Sequence, residues 1–276
     1  MSLAAVLHRH PGLRLTGFLT PALVWLGLFY VLPMGFLLAT AFFDTDSFTG
    51  RITYSFTAEN VLEVLTEPAY LLTVLRSVGV AVGVTVLCVL LAVPLAAYMA
   101  LVASARSRPV LVALVLTPLW ASYLVKVYAW RVLLAPEGPL GGLSPGYGWA
   151  AVVVTLTYLW LPYMVLPVYA GISSMRGSFL EAAADLGARP WTAFRTVVFP
   201  VLGPAIAAGS VFTFSLSLGD YITVQLVAGT NQMLGNVVYQ TFSTDLPFAA
   251  AVAVLPLVVM ALYLLTIRRT GALGRL

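Results

Sequence analysis

Charge is what this sequence lacks most. Acidic and basic side chains make up 9% of its 276 residues and hydrophobic ones 61%, where an ordinary soluble domain carries about 25% charged residues. Ten acidic and fourteen basic side chains cannot coat a globule of this size, so lipid must cover much of the exterior. Lysine occurs once, at Lys126, with Val125 before it. A phosphate loop needs Gly-Lys-Ser/Thr, so the chain does not cradle ATP in that way. The single cysteine, Cys88, leaves no route to an intramolecular disulfide framework or a thiolate metal cluster. His8 and His10 are the only histidines, in a polar amino-terminal segment without a nearby carboxylate, which argues against zinc. No histidine falls in an apolar run and no carboxylates cluster there, so an integral membrane enzyme finds no support. The net charge of +4 is dispersed through hydrophobic sequence, which argues against nucleic acid as a partner.

What is present is six apolar stretches long enough to span a bilayer, each near or above about 20 residues. They fall near Phe18–Phe43, Leu71–Val102, Val110–Leu134, Trp149–Ile172, Val201–Ala228 and Phe248–Ile267. Residues 18–267 therefore read as one six-span unit, flanked by segments 1–17 and 268–276, with the longest connection at 173–200. The first stretch has a rival reading as a signal peptide, since Arg9 and Arg14 precede it and Ala39-Thr40-Ala41 resembles a cleavage site. Its apolar run is too long for that, against about 7–15 residues in a signal peptide. With the amino terminus inside, one face receives Arg9, Arg14, Arg106, Arg108, Arg176, Arg189, Arg195, Arg268, Arg269 and Arg275. The positive-inside rule makes that face cytoplasmic and places both termini there. Pro94, Pro118, Pro162, Pro167 and the Gly79-x-x-x-Gly83 pair suit either kinks in a moving bundle or plain helix packing. The glycine-rich stretch 138–148 reads as an external turn.

The 173–200 connection carries the most specific pattern. Ser178 and Glu181 have capping-box spacing, Ala182–Ala184 favour helix, and Gly187 can supply the left-handed stop. Pro190 then opens a second helix through Trp191, Phe194 and Val198, which Pro200 ends or bends. Such a knob, showing Phe179, Leu180, Ala183 and Leu186, suits either a groove on another protein or the lipid headgroups. Glu181-Ala182-Ala183, Gly187 and the later Phe199-Pro200 resemble the EAA loop of permease subunits of bacterial ATP-binding-cassette importers. The resemblance implies an all-α membrane protein of six transmembrane helices, with the type I importer permease fold and a cytoplasmic EAA coupling helix. It implies that Glu181, Ala182, Ala183, Asp185 and Gly187 couple the chain to the ATPase. Two stretches, 122–130 (Ser-Tyr-Leu-Val-Lys-Val-Tyr-Ala-Trp) and 217–223 (Ser-Leu-Gly-Asp-Tyr-Ile-Thr), are similar to the spermidine/putrescine subgroup. So are Gly235-Asn236 and Asp245-Leu246-Pro247-Phe248. Permeases for ferric iron, thiamine, phosphonates and opines share parts of that pattern.

Asp220 is the one acidic residue inside an expected span, where a carboxylate costs about 2.5–3.5 kcal/mol or more. Counted from Pro204 it lies about 24 Å along the helix, and Lys126, counted from Val110, reaches about the same level. Three readings stand for Asp220: an ion pair with Lys126 or Arg131, contact with a cationic substrate, or snorkelling to outer water. Trp120, Tyr123, Val127, Trp130 and Leu134 share a helical stripe. Its rings, with Tyr221, suit either cation–π contact with a polyamine or an interfacial aromatic belt. Lys126, Tyr123, Trp130, Asp220 and Tyr221 are thus the expected substrate pathway or gate.

The expectation is a non-enzymatic permease subunit of the bacterial inner membrane. By resemblance it works with two ATPase subunits that bind ATP and magnesium, a second homologous permease and an extracytoplasmic substrate-binding protein, and itself holds no cofactor or metal. The rival is an ion-coupled secondary transporter acting alone, with Asp220 as its ion site.

Overall fold

Long apolar runs in lipid must satisfy every backbone group internally, and the helix does this within one segment. The computed structural model describes residues 11–46, 49–175, 182–183 and 185–269. Helix α1 (Pro11–Leu26) passes through a widened π turn, Gly27–Val31, into α2 (Leu32–Thr40). A two-residue hairpin follows, β1 (Asp44–Thr45) on β2 (Ile52–Thr53), paired antiparallel with Asp44 opposite Thr53 and Thr45 opposite Ile52. Then come α3 (Glu59–Thr66) and α4 (Pro68–Ala97), the latter ending in a second π turn, Tyr98–Val102. Next are α5 (Ser107–Trp120), α6 (Tyr123–Leu133) and α7 (Trp149–Ser173). Short α8 (Pro190–Ala193) continues through a third π turn, Phe194–Val198, into α9 (Phe199–Leu218). The chain closes with α10 (Ile222–Val227), α11 (Leu234–Phe242) and α12 (Leu246–Arg269).

Five helical stretches are long and apolar enough to cross a membrane, namely Leu19–Thr40, Pro68–Val102, Trp149–Ser173, Phe199–Leu218 and Leu246–Arg269. The pair α5 and α6 makes a sixth as a broken span, bent by 93°. This corrects the expectation of one helix over Val110–Leu134. Pro118 cannot donate to the Leu114 carbonyl, and Ala121 and Ser122 turn extended, with ψ of 143° and 136°. Trp120 therefore leaves the stripe, 81% exposed, while Val127 and Leu134 stay buried. The fifth expected span, Val201–Ala228, is also interrupted: α9 stops at Leu218 and α10 restarts at Ile222.

Pro200 neither ends nor breaks its helix. A proline ring crowds the carbonyl four residues back, which for Pro200 is that of Thr196, inside the π turn Phe194–Val198. Pro33 stands in the same relation to Phe29 within Gly27–Val31. A widened turn gives the crowded carbonyl room without stopping the helix.

The main core lies between α4, α7 and α9. Helix α4 contributes a stripe at helical spacing, Ser77, Ala81, Val84, Cys88, Ala92 and Ala96, all fully buried. Small residues set the approach of α7 to α9. A Cβ at Gly209 would stand 2.6 Å from Met164 Sδ and 3.1 Å from Met164 Cα, and one at Gly171 would stand 2.8 Å from Ala205 Cβ. Gly79 and Gly83 have open space where a Cβ would stand, so close packing falls on α7 and α9 instead of that pair. A second cluster joins Ala41, Val64 and Leu234 to Phe248 and Val252 of α12. Asp245 Oδ1 accepts from Phe248 N at 3.0 Å and from Thr45 Oγ1 at 2.8 Å, which caps α12 and ties the hairpin to it. In α1 and α2 none of the described side chains is buried.

Gly209→Ala should destabilise the subunit by about 1–3 kcal/mol, the usual cost of overpacking a tight contact. Thermal unfolding in detergent micelles measures this, with Gly79→Ala as the control expected to cause little change. Equal stability of the two variants would contradict the packing described.

Candidate functional site

The interruption after α9 builds the site. Leu218 ends the helix, Gly219 stands at φ −90° and ψ 0°, and Asp220 and Tyr221 lead into α10. Asp220 is 6% exposed, so its carboxylate depends on protein donors. Oδ1 accepts from Thr223 N at 2.8 Å. Oδ2 accepts from Thr223 Oγ1 at 3.1 Å and from the Tyr123 hydroxyl. Tyr123 Oη and Thr223 Oγ1 are also 2.8 Å apart, so two hydroxyl protons serve three oxygen–oxygen contacts. All the donors to Asp220 in this cluster are neutral.

Lys126 does not pair with Asp220. Its Nζ donates to the Pro118 carbonyl at 2.9 Å. That carbonyl belongs to the last turn of α5, where a cation satisfies an orphan acceptor and favours the negative end of the helix dipole. The level-matching of Lys126 with Asp220 assumed a straight helix from Val110, and the 93° bend removes that premise. Arg131 is exposed at the end of α6.

Asp220, Tyr123 and Tyr221 meet at one cleft of ≈ 200 Å³, closed by Trp160 and Leu216. Tyr123 stacks on Trp160 with centroids 6.0 Å apart. Trp160 and Tyr163 follow at 6.0 Å, and Tyr163 and Phe212 at 6.1 Å, so an aromatic row leads away from the carboxylate. Trp130 packs on Tyr158 at 5.4 Å and is outside this lining. Tyr221 also walls a second cleft of ≈ 320 Å³, with Tyr239, Phe242 and Pro256, and its ring stacks on Tyr239 at 4.6 Å. Thr223, Trp160 and Tyr163 were not expected from the sequence. Thr223 had a readable signal, three residues after an aspartate, the spacing of a side chain accepting from a helix-opening N–H. The two rings on α7 had none, because their relation to Asp220 is purely spatial.

In the 173–200 connection, Glu181 lies outside the described residues, as do Ser178, Phe179, Leu180 and Ala184. Ala182, Ala183 and Asp185 are helical, and Gly187 has φ +75°. Ala188 N donates to Ala183 O at 2.9 Å, the six-to-one bond of a glycine helix stop. Ala183 is 9% exposed and Leu186 89% exposed, so the two apolar residues face opposite surroundings. Among the described residues, no group of three or more His, Cys, Asp or Glu is placed to hold a metal.

An all-helical membrane bundle with an interrupted, carboxylate-bearing helix at an aromatic cleft has the construction of a transport protein. The family model described as binding-protein-dependent transport system inner membrane component matches residues 15–271, and the chain belongs to that family. It is 39% identical to the inner membrane ABC transporter permease protein YdcU of Escherichia coli K12, over 97% of this chain and 93% of that protein. It is 31% identical to the spermidine/putrescine transport system permease protein PotB of Escherichia coli K12, over 90% of this chain and 94% of the other. The molybdenum transport system permease protein ModB of Mycobacterium bovis is 34% identical, over 76% of this chain and 83% of its own length. Among solved structures, a bacterial ABC transporter involved in the import of the acidic polysaccharide alginate shares the fold. Its TM-score is 0.67 at 17% identity, with 97% of this chain and 98% of that one covered. The chain is thus an importer permease component of type I fold, a transport subunit and not an enzyme.

Tyr123→Phe removes one hydroxyl from the Asp220 cluster. The subunit should lose about 1–3 kcal/mol, the cost of leaving a buried acceptor short of a donor, read as a lowered Tm in detergent. Tm equal to that of the unaltered chain would show that the hydroxyl is dispensable to the carboxylate.

Proposed function

We propose that this permease admits a small cationic solute of the polyamine kind, with Asp220 in the solute path. The supporting observation is the buried Asp220 carboxylate on the wall of an aromatic cleft, surrounded by neutral donors. Neutral hydrogen bonds spread the negative charge without cancelling it, and a passing ammonium would cancel it. The faces of Tyr123, Trp160 and Tyr221 around it favour a cation through their ring quadrupoles. An oxyanion such as molybdate would meet repulsion there. The spermidine/putrescine name of one relative agrees with this charge argument.

The full machine in this reading contains two ATPase subunits that bind ATP and magnesium, a second permease, and an extracytoplasmic binding protein, set in a bacterial inner membrane with both permease termini in the cytoplasm. The uncovered apolar surface of α1 and α2 leaves an area for a second permease or lipid to cover. Glu181, Ala182, Ala183, Asp185 and Gly187 form the contact with the ATPase. Its closure on ATP draws the two permeases' loops together and turns the cleft outward, and hydrolysis returns it inward.

The importer, reconstituted in proteoliposomes with its binding protein, should take up spermidine or putrescine, and Asp220→Asn should cut uptake at least tenfold with assembly and ATP hydrolysis retained. Unaltered uptake in that variant would remove Asp220 from the path. A binding protein that ignores polyamines and binds an anion would overturn the choice of solute.

A further inference from the structure

Gly219 and Tyr221 line both clefts, so what holds this segment bears on how the two clefts meet. The Tyr221 ring rests on Tyr239, and the Tyr221 backbone is held from α11. The Tyr221 carbonyl accepts the first bond of α10, from Gln225 N at 2.9 Å. Its second lone pair accepts from Asn236 Nδ2 at 2.8 Å. Next to Asn236, Gly235 lets α11 reach the interruption: a Cβ there would stand 3.0 Å from Gly219 O and 3.2 Å from Asp220 O. Helix α11 is anchored in turn to α4, because Leu234 N donates to Ser77 Oγ at 2.9 Å, and both residues are fully buried.

The Asn236 amide is only half used. The residue is 3% exposed, and its Oδ1 has no hydrogen-bond partner among the described residues. Leaving a buried acceptor without a donor is unfavourable, and a hydrocarbon side chain of similar size would avoid it. The amide's one bond, to Tyr221, is what a hydrocarbon could not supply.

We infer that Asn236 is a positioning residue that latches Tyr221 in the wall shared by the two clefts, and that releasing this latch is a step in passing solute. The inference rests on the reading that Asp220 and Tyr221 line the solute path. With the bond made, Gly219 and Tyr221 stay in place as the lining shared by the clefts of ≈ 200 Å³ and ≈ 320 Å³. With it broken, Tyr221 keeps its ring stack on Tyr239 and its bond from Gln225 N but loses its backbone tie to α11, so the shared wall is held less firmly and can shift.

Asn236→Leu keeps the approximate size of the side chain and removes the donor without adding charge. In proteoliposomes containing the assembled importer, solute moved per ATP hydrolysed should fall at least threefold, and hydrolysis without solute should rise at least twofold. A merely structural role would lower the amount of assembled complex and scale uptake and hydrolysis together, leaving their ratio unchanged. Ser77→Ala frees the Leu234 N–H and loosens α11 with one atom removed; it should lower the same ratio, and it serves if Asn236→Leu fails to assemble. An unchanged ratio in whichever of these variants assembles overturns the latch. The Asp220→Asn measurement separates the two claims: lost uptake there with unchanged ratios here defeats the latch alone, while full uptake there defeats the path on which it rests.

Discussion

A helix interrupted inside an apolar bundle exposes backbone groups that lipid cannot bond, and the protein has to satisfy them itself. Two such interruptions organise this chain, and each has a dedicated answer. At the bend between α5 and α6, the only lysine donates to the freed Pro118 carbonyl. At the gap between α9 and α10, Asp220 accepts the Thr223 N–H while Asn236 supplies a donor to Tyr221. Gly148 N donates to Val227 O at 2.9 Å, which ties the far end of α10 to the start of α7. The chain's scarce polar groups are spent where the backbone is interrupted.

That arrangement also explains the separation of rigid and functional parts. Helices α4, α7 and α9 form a dense core in which a methyl added at Gly171 or Gly209 would meet a neighbouring side chain below 3 Å. The interruptions lie at the edge of this core, where Tyr123 and Trp160 reach the Asp220 cleft from α6 and α7. Coupling in such a bundle needs a rigid body to carry motion and a yielding joint to use it. The dense triplet is suited to the first role and the short helices α6, α10 and α11 to the second.

The carboxylate itself shows how context sets meaning. Opposite a lysine, Asp220 would be one half of an internal ion pair, with its charge neutralised at rest. With tyrosine, threonine and a backbone N–H as donors, it is held by neutral groups on the wall of a cleft. Whether the carboxylate has a charged or a neutral partner follows from which groups reach it across the bundle.

Much of this was legible in the linear sequence. The shortage of charge required a membrane protein, apolar length located the helices, and the EAA pattern assigned the chain to the importer permeases that family membership then showed. Pro118 was visible as a weak point, and Gly187 as a helix stop. These are properties of single residues or of short windows, and backbone preference and hydropathy act at that range. Partnership was not legible: that Lys126 turns to Pro118, that Tyr123 and Thr223 hold Asp220, and that Asn236 reaches Tyr221. Periodicity could not say whether a weak point bends by 93° or stays straight, because neighbouring helices decide that by packing. The sequence by itself determined the solvent, the helices and the class of protein. Only the tertiary structure decided which groups satisfy which, because a hydrogen bond in a bundle is chosen by distance and direction across helices, and neither is encoded in spacing along one.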